Sequence, residues 1–211
     1  MSIPAYMTLE FANQGEASAG AMGEDSVGTL SKADREDQIQ IIQFQHTIYA
    51  PTDTHSGQRV GPRIHQDMKI LKMVDASSPL LLQALSSGDV VVSAEIEWYR
   101  INATGEEEHF FTTTIEDALI TQIRSYMPEI VTPAETGSNR DMSKLSAQAN
   151  TFGYELVKKQ TLGGSLAVDG NLSSQRESRP NLEEITFRYH TITWTHEIAG
   201  VEGTDSWAGG E

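Results

Sequence analysis

The stretch EEITFRYHTITWTHEIAGVEGTDSW, Glu183 to Trp207, decides how this chain is read. Aromatic and β-branched residues fill its first half: Ile185, Phe187, Tyr189, Ile192 and Trp194. Such residues suit a strand pleated over a core better than a helix. The apolar set is odd-numbered up to Tyr189 and even-numbered from Ile192 to His196, so a bulge or change of face is expected near His190 and Thr191. A glycine- and acid-rich tail then ends in an isolated Trp207. No nucleophile or ligand cluster lies inside the stretch, which points to packing and assembly rather than chemistry.

Working outward, 211 residues suit one large domain, or a domain with an elaboration. The absence of cysteine excludes disulfides and thiolate metal sites. No apolar run approaches the roughly 18 residues needed to span a bilayer. The opening MSIPAYMTLEF lacks a basic region followed by an apolar one. The expectation is synthesis in the cytoplasm without a cleaved leader, and no membrane insertion. A net charge of −15 repels phosphate backbones, so nucleic acid is not an expected partner. Residues 140–179 differ: six basic residues against four acidic ones give +2, leaving −17 for the remainder.

Alternating apolar and polar residues recur along the chain. Strands are expected at Tyr6–Phe11, Gln38–Tyr49 (with a slip between Ile41 and Ile42), Met68–Val74, Val90–Ile101 and His109–Ile123. Val90, Val92, Ala94, Ile96 and Trp98 should share one face. Phe111, Thr113, Ile115, Leu119 and Ile123 should share another, with Asp117 interrupting. Strands at this spacing predict a mainly β fold: a small antiparallel barrel of two packed sheets. One helix flanks it, with Ser78 as cap, Pro79 at the first position, leucines 80, 81, 82 and 85, and Gly88 as its stop. Residues 132–181 lack firm periodicity and read as a long insertion before the last strand. Within them, Asp141–Ala149 suits a short helix, and Phe152–Thr161 and Ser165–Val168 suit arms around Gly163 and Gly164.

Candidate chemistry is sparse. His46, His55 and His65 lie close in sequence but form no HxH or HExxH arrangement, so ordinary strand and loop roles are expected. Glu95 and Glu97 sit about 6.5–7 Å apart on a strand, within the spacing of an inverting carboxylate pair. Alternating acids on a solvent face are far commoner. No nucleophile elbow, phosphate loop or dinucleotide fingerprint occurs. No catalytic, cofactor-binding or metal residue is therefore expected. The polar loop Pro51–Gly61, followed by Arg63 and His65, is long enough to carry function.

At this point an ordered set of pieces resembles one family. They are Ile3-Pro4-Ala5-Tyr6, Phe44-Gln45-His46, the loop residues Pro51, Thr52, Asp53, Ser56, Gly57 and Gly61 with Arg63 and His65, and Ser77 to Leu81 with Ala84 and Leu85. Then follow Trp98-Tyr99-Arg100, His109 to Thr113, and Phe187, Tyr189, Ile192, Trp194, His196, Gly200, Gly203, Asp205 and Trp207. Together they cover residues 1–131 and 182–207 and resemble Hcp, the haemolysin-coregulated tube proteins of bacterial type VI secretion. The resemblance implies a single tube domain over 1–211 and homohexameric rings stacked into a hollow tube. It implies a spike protein at the tip, a contractile sheath outside, effector proteins in the lumen, export, and no enzymatic activity. The loop residues with Arg63 and His65 would lie at ring or subunit contacts, and Trp194, His196, Gly200, Gly203, Asp205 and Trp207 form the closing motif. The stretch at about 132–181 departs from the family pattern. Two other readings stand beside this one: a phage-like tail-tube subunit, and a β-sandwich hydrolase or carbohydrate-binding domain using Glu95 and Glu97.

Overall fold

Backbone pairing in this chain returns to where it starts. The computed structural model describes residues 5–127 and 181–207. The expected insertion at about 132–181, with its helix and two arms, lies outside the described residues but for Asn181. Eleven strands are described: β1 (Ala5–Phe11), β2 (Gly15–Glu16), β3 (Ile39–Gln45), β4 (Ile48–Tyr49), β5 (Ile64–His65), β6 (Met68–Met73), β7 (Val91–Ile101), β8 (Glu107–Tyr126), β9 (Leu182–Arg188), β10 (Thr191–His196) and β11 (Val201–Ser206). A four-residue helix α1 (Glu24–Val27) and two 3-10 turns link β2 to β3, and α2 (Ser78–Ser87) links β6 to β7.

The order β8-β7-β1-β3-β6-β9 is antiparallel throughout, and β9 pairs again with β8. Six strands thus close on themselves, which leaves them no unpaired edge. The two packed layers expected from the alternation are the two sides of this one sheet. The 20-residue β8 makes closure possible. Its later half pairs with β9, and Phe111 to Glu116 pair with β10, which carries β11 as a flap. The break at Tyr189 and His190 is where the chain leaves β9 for β10, as the change of apolar phase predicts. Inside lie Met7, Leu9, Phe11, Ile39, Ile70, Ile96, Ile115, Ile185, Phe187 and Ile192, all essentially buried.

Two faces depart from simple alternation. Val90 and Val92 point outward, 38% and 45% exposed, while Val91 is buried. On β8, Leu119 is 44% exposed while Ala118 and Ile120 are inside. The cause is one irregularity crossing two strands. Against β1 the pairing passes from Glu10↔Ser93 to Phe11↔Val91, leaving Val92 as an extra β7 residue, and opposite it in the unbroken β7–β8 register Asp117 takes a left-handed φ of 50°. A second shift between Ile120 and Gln122 returns Ile123 to the core side. The slip expected near Ile41 and Ile42 is present between Ile41 and Gln43.

Helix α2 packs on β8 through Leu81 and Ala84, and Gly88 ends it in the left-handed region at φ 69°. Two details differ from expectation. Leu82 is 45% exposed because it falls on the outer face. Ser78 does not cap, since it is the first helical residue and its hydroxyl serves a buried charge cluster instead. In that cluster Lys72 Nζ, fully buried, reaches Glu183 Oε1 at 2.6 Å and Asp75 Oδ1 at 2.8 Å. Ser78 Oγ donates to Glu183 at 2.6 Å, and Asp75 accepts from the N–H and hydroxyl of Ser77. Such a set is tolerated inside because each charge is paired and bonded. It ties β6, β9 and the start of α2 together.

Candidate assembly site

The loop after β4 braces itself. Asp53 accepts from the N–H groups of His55 (2.7 Å) and Ser56 (3.2 Å), which holds its carboxyl below the usual range. Gly57, at φ 69°, closes the turn by donating to Asp53 O at 2.8 Å. Thr52 bridges to Arg59, Val60 N–H donates to Pro51 O at 2.9 Å, and Arg59 Nε donates to Gly61 O at 2.7 Å. The result is a preshaped projection with Tyr49, Val60 and Ile64 uncovered at 44%, 67% and 39% exposure.

At its base the loop meets the end of the chain. Arg63 forms a two-pronged pair with the Asp205 carboxylate and donates to Ser206 O at 3.0 Å. Buried His65 sends Nε2 to Asp205 Oδ2 (3.2 Å) and Nδ1 to the Tyr189 hydroxyl (2.7 Å). His46 Nε2 reaches the same hydroxyl from the other side at 2.6 Å. Trp207 packs against His65 and Tyr189, with ring centroids 5.9 and 6.2 Å away. Arg188 covers Trp207 at 5.5 Å while paired to Asp67 at 2.8 Å. A cavity of about 430 Å³ opens beside them, edged by Gln45, Lys69, Arg188 and Trp207.

Electrostatics follow the contacts. Burial works against charge on Asp205, but the Arg63 bonds and the Ser206 N–H outweigh it and hold the carboxyl below its usual range. Burial, then the charges of Asp205 and Asp67, push the Tyr189 hydroxyl well up, so it stays protonated. Burial foremost, then His65, lowers His46 from its ordinary value near 6.5.

The structure thus gathers Arg63, His65, Asp205 and Trp207, which stand about 140 residues apart. It does not gather the rest of the closing motif there. Trp194 lies on β10 opposite Gly203 and packs on the core, and His196 sits between Phe110 and Phe111 at the far hairpin end, where Gly200 turns at φ 62°. At that end Ile198 and Val201 are 50% and 63% exposed. Pro51, Thr52, Asp53, Ser56, Gly57 and Gly61 remain in the projecting loop. Sequence reasoning did not place Tyr189, His46, Arg188 or Asp67 in the site. The traces were Tyr189, an apolar-phase residue at a strand break with a hydroxyl to satisfy, and His46, which lies close to His65 in sequence.

The alternative chemistry finds different surroundings. Glu97 is engaged by Arg35 at 3.1 Å and by Tyr99, and despite burial these and Gln38 hold its carboxyl down. A general acid needs the opposite shift. Arg35 itself stacks over Tyr99 (4.1 Å) and Tyr6 (4.8 Å), pinning the β2–β3 connection across the sheet. His46 and His65 meet at a tyrosine hydroxyl while His55 stays in the exposed loop, and among the described residues no group of three potential ligands gathers.

A closed antiparallel β sheet carrying a preshaped loop and a two-strand flap is the architecture against which the relatives are compared. The chain belongs to the Hcp family of type VI secretion: the model for "Type VI secretion system effector, Hcp" matches residues 14–196. It is 36% identical over 207 residues to the "Major exported protein" of Pseudomonas aeruginosa, covering 98% of this chain and 96% of that one. Among solved structures it is similar to an Hcp protein crystal structure at TM-score 0.73 and 28% identity, covering 98% of this chain and all of that one. It is also similar to the secreted protein Hcp3 from Pseudomonas aeruginosa at TM-score 0.66 and 32% identity, with 97% of each chain covered.

Proposed function

We propose that this chain, as one domain over 1–211, closes into homohexameric rings. The rings stack into the hollow inner tube of a type VI secretion machine. A contractile sheath surrounds that tube, a spike protein tips it, effector proteins ride in its lumen, and the tube is exported from the bacterium that makes it. The carrying observation is the pairing of a sheet that closes on itself with two projections exposing apolar side chains: the Pro51–Gly61 loop, and the hairpin tip at Ile198 and Val201. Apolar surface held out in this way favours burial against another copy, and exposed Ile42, Val92, Ile101 and Leu119 extend it over the sheet. Among the described residues β11 pairs on one side only, with β10, so its outer edge is available to a neighbour. Contacts that close by rotation give rings, and axial contacts that do not close give a filament.

The same reading assigns the chain no catalysis, because Glu97 is tied to Arg35 and Tyr99. Six copies at −15 carry a formal −90 per ring, a repulsion that salt screens. Negative-stain imaging tests the proposal: six-fold annuli that lengthen into stacks between low and moderate ionic strength are expected. Absence of annuli under all salt conditions contradicts it.

A further inference from the structure

The β4–β5 ribbon pairs only with itself. Among the described residues no backbone–backbone hydrogen bond joins residues 47–66 to the closed sheet. Beyond chain continuity, His46, Arg63 and His65 provide its polar attachment to the body. We propose that His46, Tyr189 and His65 form a proton-sensitive clasp, which locks this ribbon and its loop to the body while the imidazoles are neutral and frees them when both are protonated. The consequence for stacking rests on the assembly role of the loop; the clasp itself does not.

One hydroxyl stands between two ring nitrogens, His46 Nε2 at 2.6 Å and His65 Nδ1 at 2.7 Å. A hydroxyl gives one hydrogen and accepts others. Ionised Asp205 only accepts, so the His65 nitrogen facing it, Nε2, carries a hydrogen. In neutral His65 the other nitrogen, Nδ1, then accepts from Tyr189. The Tyr189 oxygen in turn accepts from His46 Nε2–H. The chain of donors is satisfied end to end, and Arg63 anchors it at Asp205.

A first added proton is absorbed if His46 changes tautomer and Tyr189 turns to face it. A second is not. Both nitrogens then donate toward one oxygen, the tyrosine hydrogen has no acceptor, and two cations face each other in a buried place. The charged groups around them are Asp205 and Arg63 on one side and Asp67, Arg188 and Lys69 on the other. Burial and the facing His65 lower His46, so its neutral form is favoured near pH 7. The sign follows: stability from a lowered histidine is present above about pH 6.5 and is lost as pH falls through the lower folded value.

The test is hydrogen exchange of the full chain at pH 7.5 and pH 5, corrected for intrinsic rates, at dilute and ring-forming concentrations. At pH 5 the amide of Gln66, bonded to Thr47 O at 2.9 Å, should lose protection by about tenfold or more, with β7 and β8 unchanged. His46→Gln/His65→Gln should remove that pH response, and Tyr189→Phe should leave the ribbon fast-exchanging at both pH values. Equal ribbon protection at both pH values, or an unchanged response in the double variant, overturns the clasp. If the variants fail to fold, the wild-type imidazole resonances decide. A midpoint shared with the ribbon amides supports the clasp, and histidine titration with unmoved ribbon amides overturns it. If the ribbon opens but rings stack equally at pH 5, the clasp stands and the loop's assembly role fails.

Discussion

The closed sheet and the β4–β5 ribbon are held by different forces. In the sheet, six strands satisfy each other's backbone groups around Ile96, Ile115 and Phe187, and the buried Lys72–Glu183–Asp75 cluster ties β6 to β9. Apolar burial and main-chain ladders are nearly indifferent to salt and to pH near neutrality. The ribbon is anchored by Arg63, His65 and His46 through a carboxylate and one hydroxyl. Those interactions are polar and, where partly exposed, are screened, and His46 is held below its ordinary value by burial and by His65. The body therefore sets whether the subunit exists, and the ribbon sets how it presents its loop.

Substitutions separate the two. Lys72→Met strands two buried carboxylates and should cost about 3–5 kcal/mol of unfolding free energy, measured by denaturant titration; a loss under 1 kcal/mol would show the cluster to be dispensable. Leu81→Asp places a charge where α2 meets β8 and should cost on the order of 3 kcal/mol or more in the same assay. Asp205→Asn loosens the partly exposed Arg63 fork and should cost only about 1 kcal/mol globally. Its larger effect should be faster exchange in the ribbon; an equal change in β7 and β8 would show that sheet and ribbon are held as one unit. Asp53→Ala, in an exposed loop, should change unfolding by about 0.5 kcal/mol or less yet shorten stacks seen by microscopy. Unchanged stacking would remove that loop from the axial contact.

The sheet was largely legible because burial imposes period two, and β1, β3, β6, the Ala94–Trp98 part of β7, the Phe111–Ile115 part of β8 and the break between β9 and β10 follow it. The misread faces share one origin. Alternation locates a strand but says nothing of the bulge at Val92, which shows only once β7 is in register with β1, or of the left-handed Asp117 across from it. The site was legible in part: Arg63, His65, Asp205 and Trp207 were marked as residues, not as neighbours. Tyr189 read as core because it is core, and its hydroxyl acquires a role only when two histidines arrive from elsewhere. Lys72 shares the inward phase of Met68 and Ile70, but its partners Asp75 and Glu183 come from other parts of the chain and leave no periodic trace.

One mass measurement bears most directly on the claim that this subunit exists to be multiplied. Mass photometry or sedimentation velocity at micromolar concentration and moderate salt should give a species six times the 23.2 kDa protomer, with larger stacks at higher concentration. A lone protomer at every concentration and salt tried would contradict it.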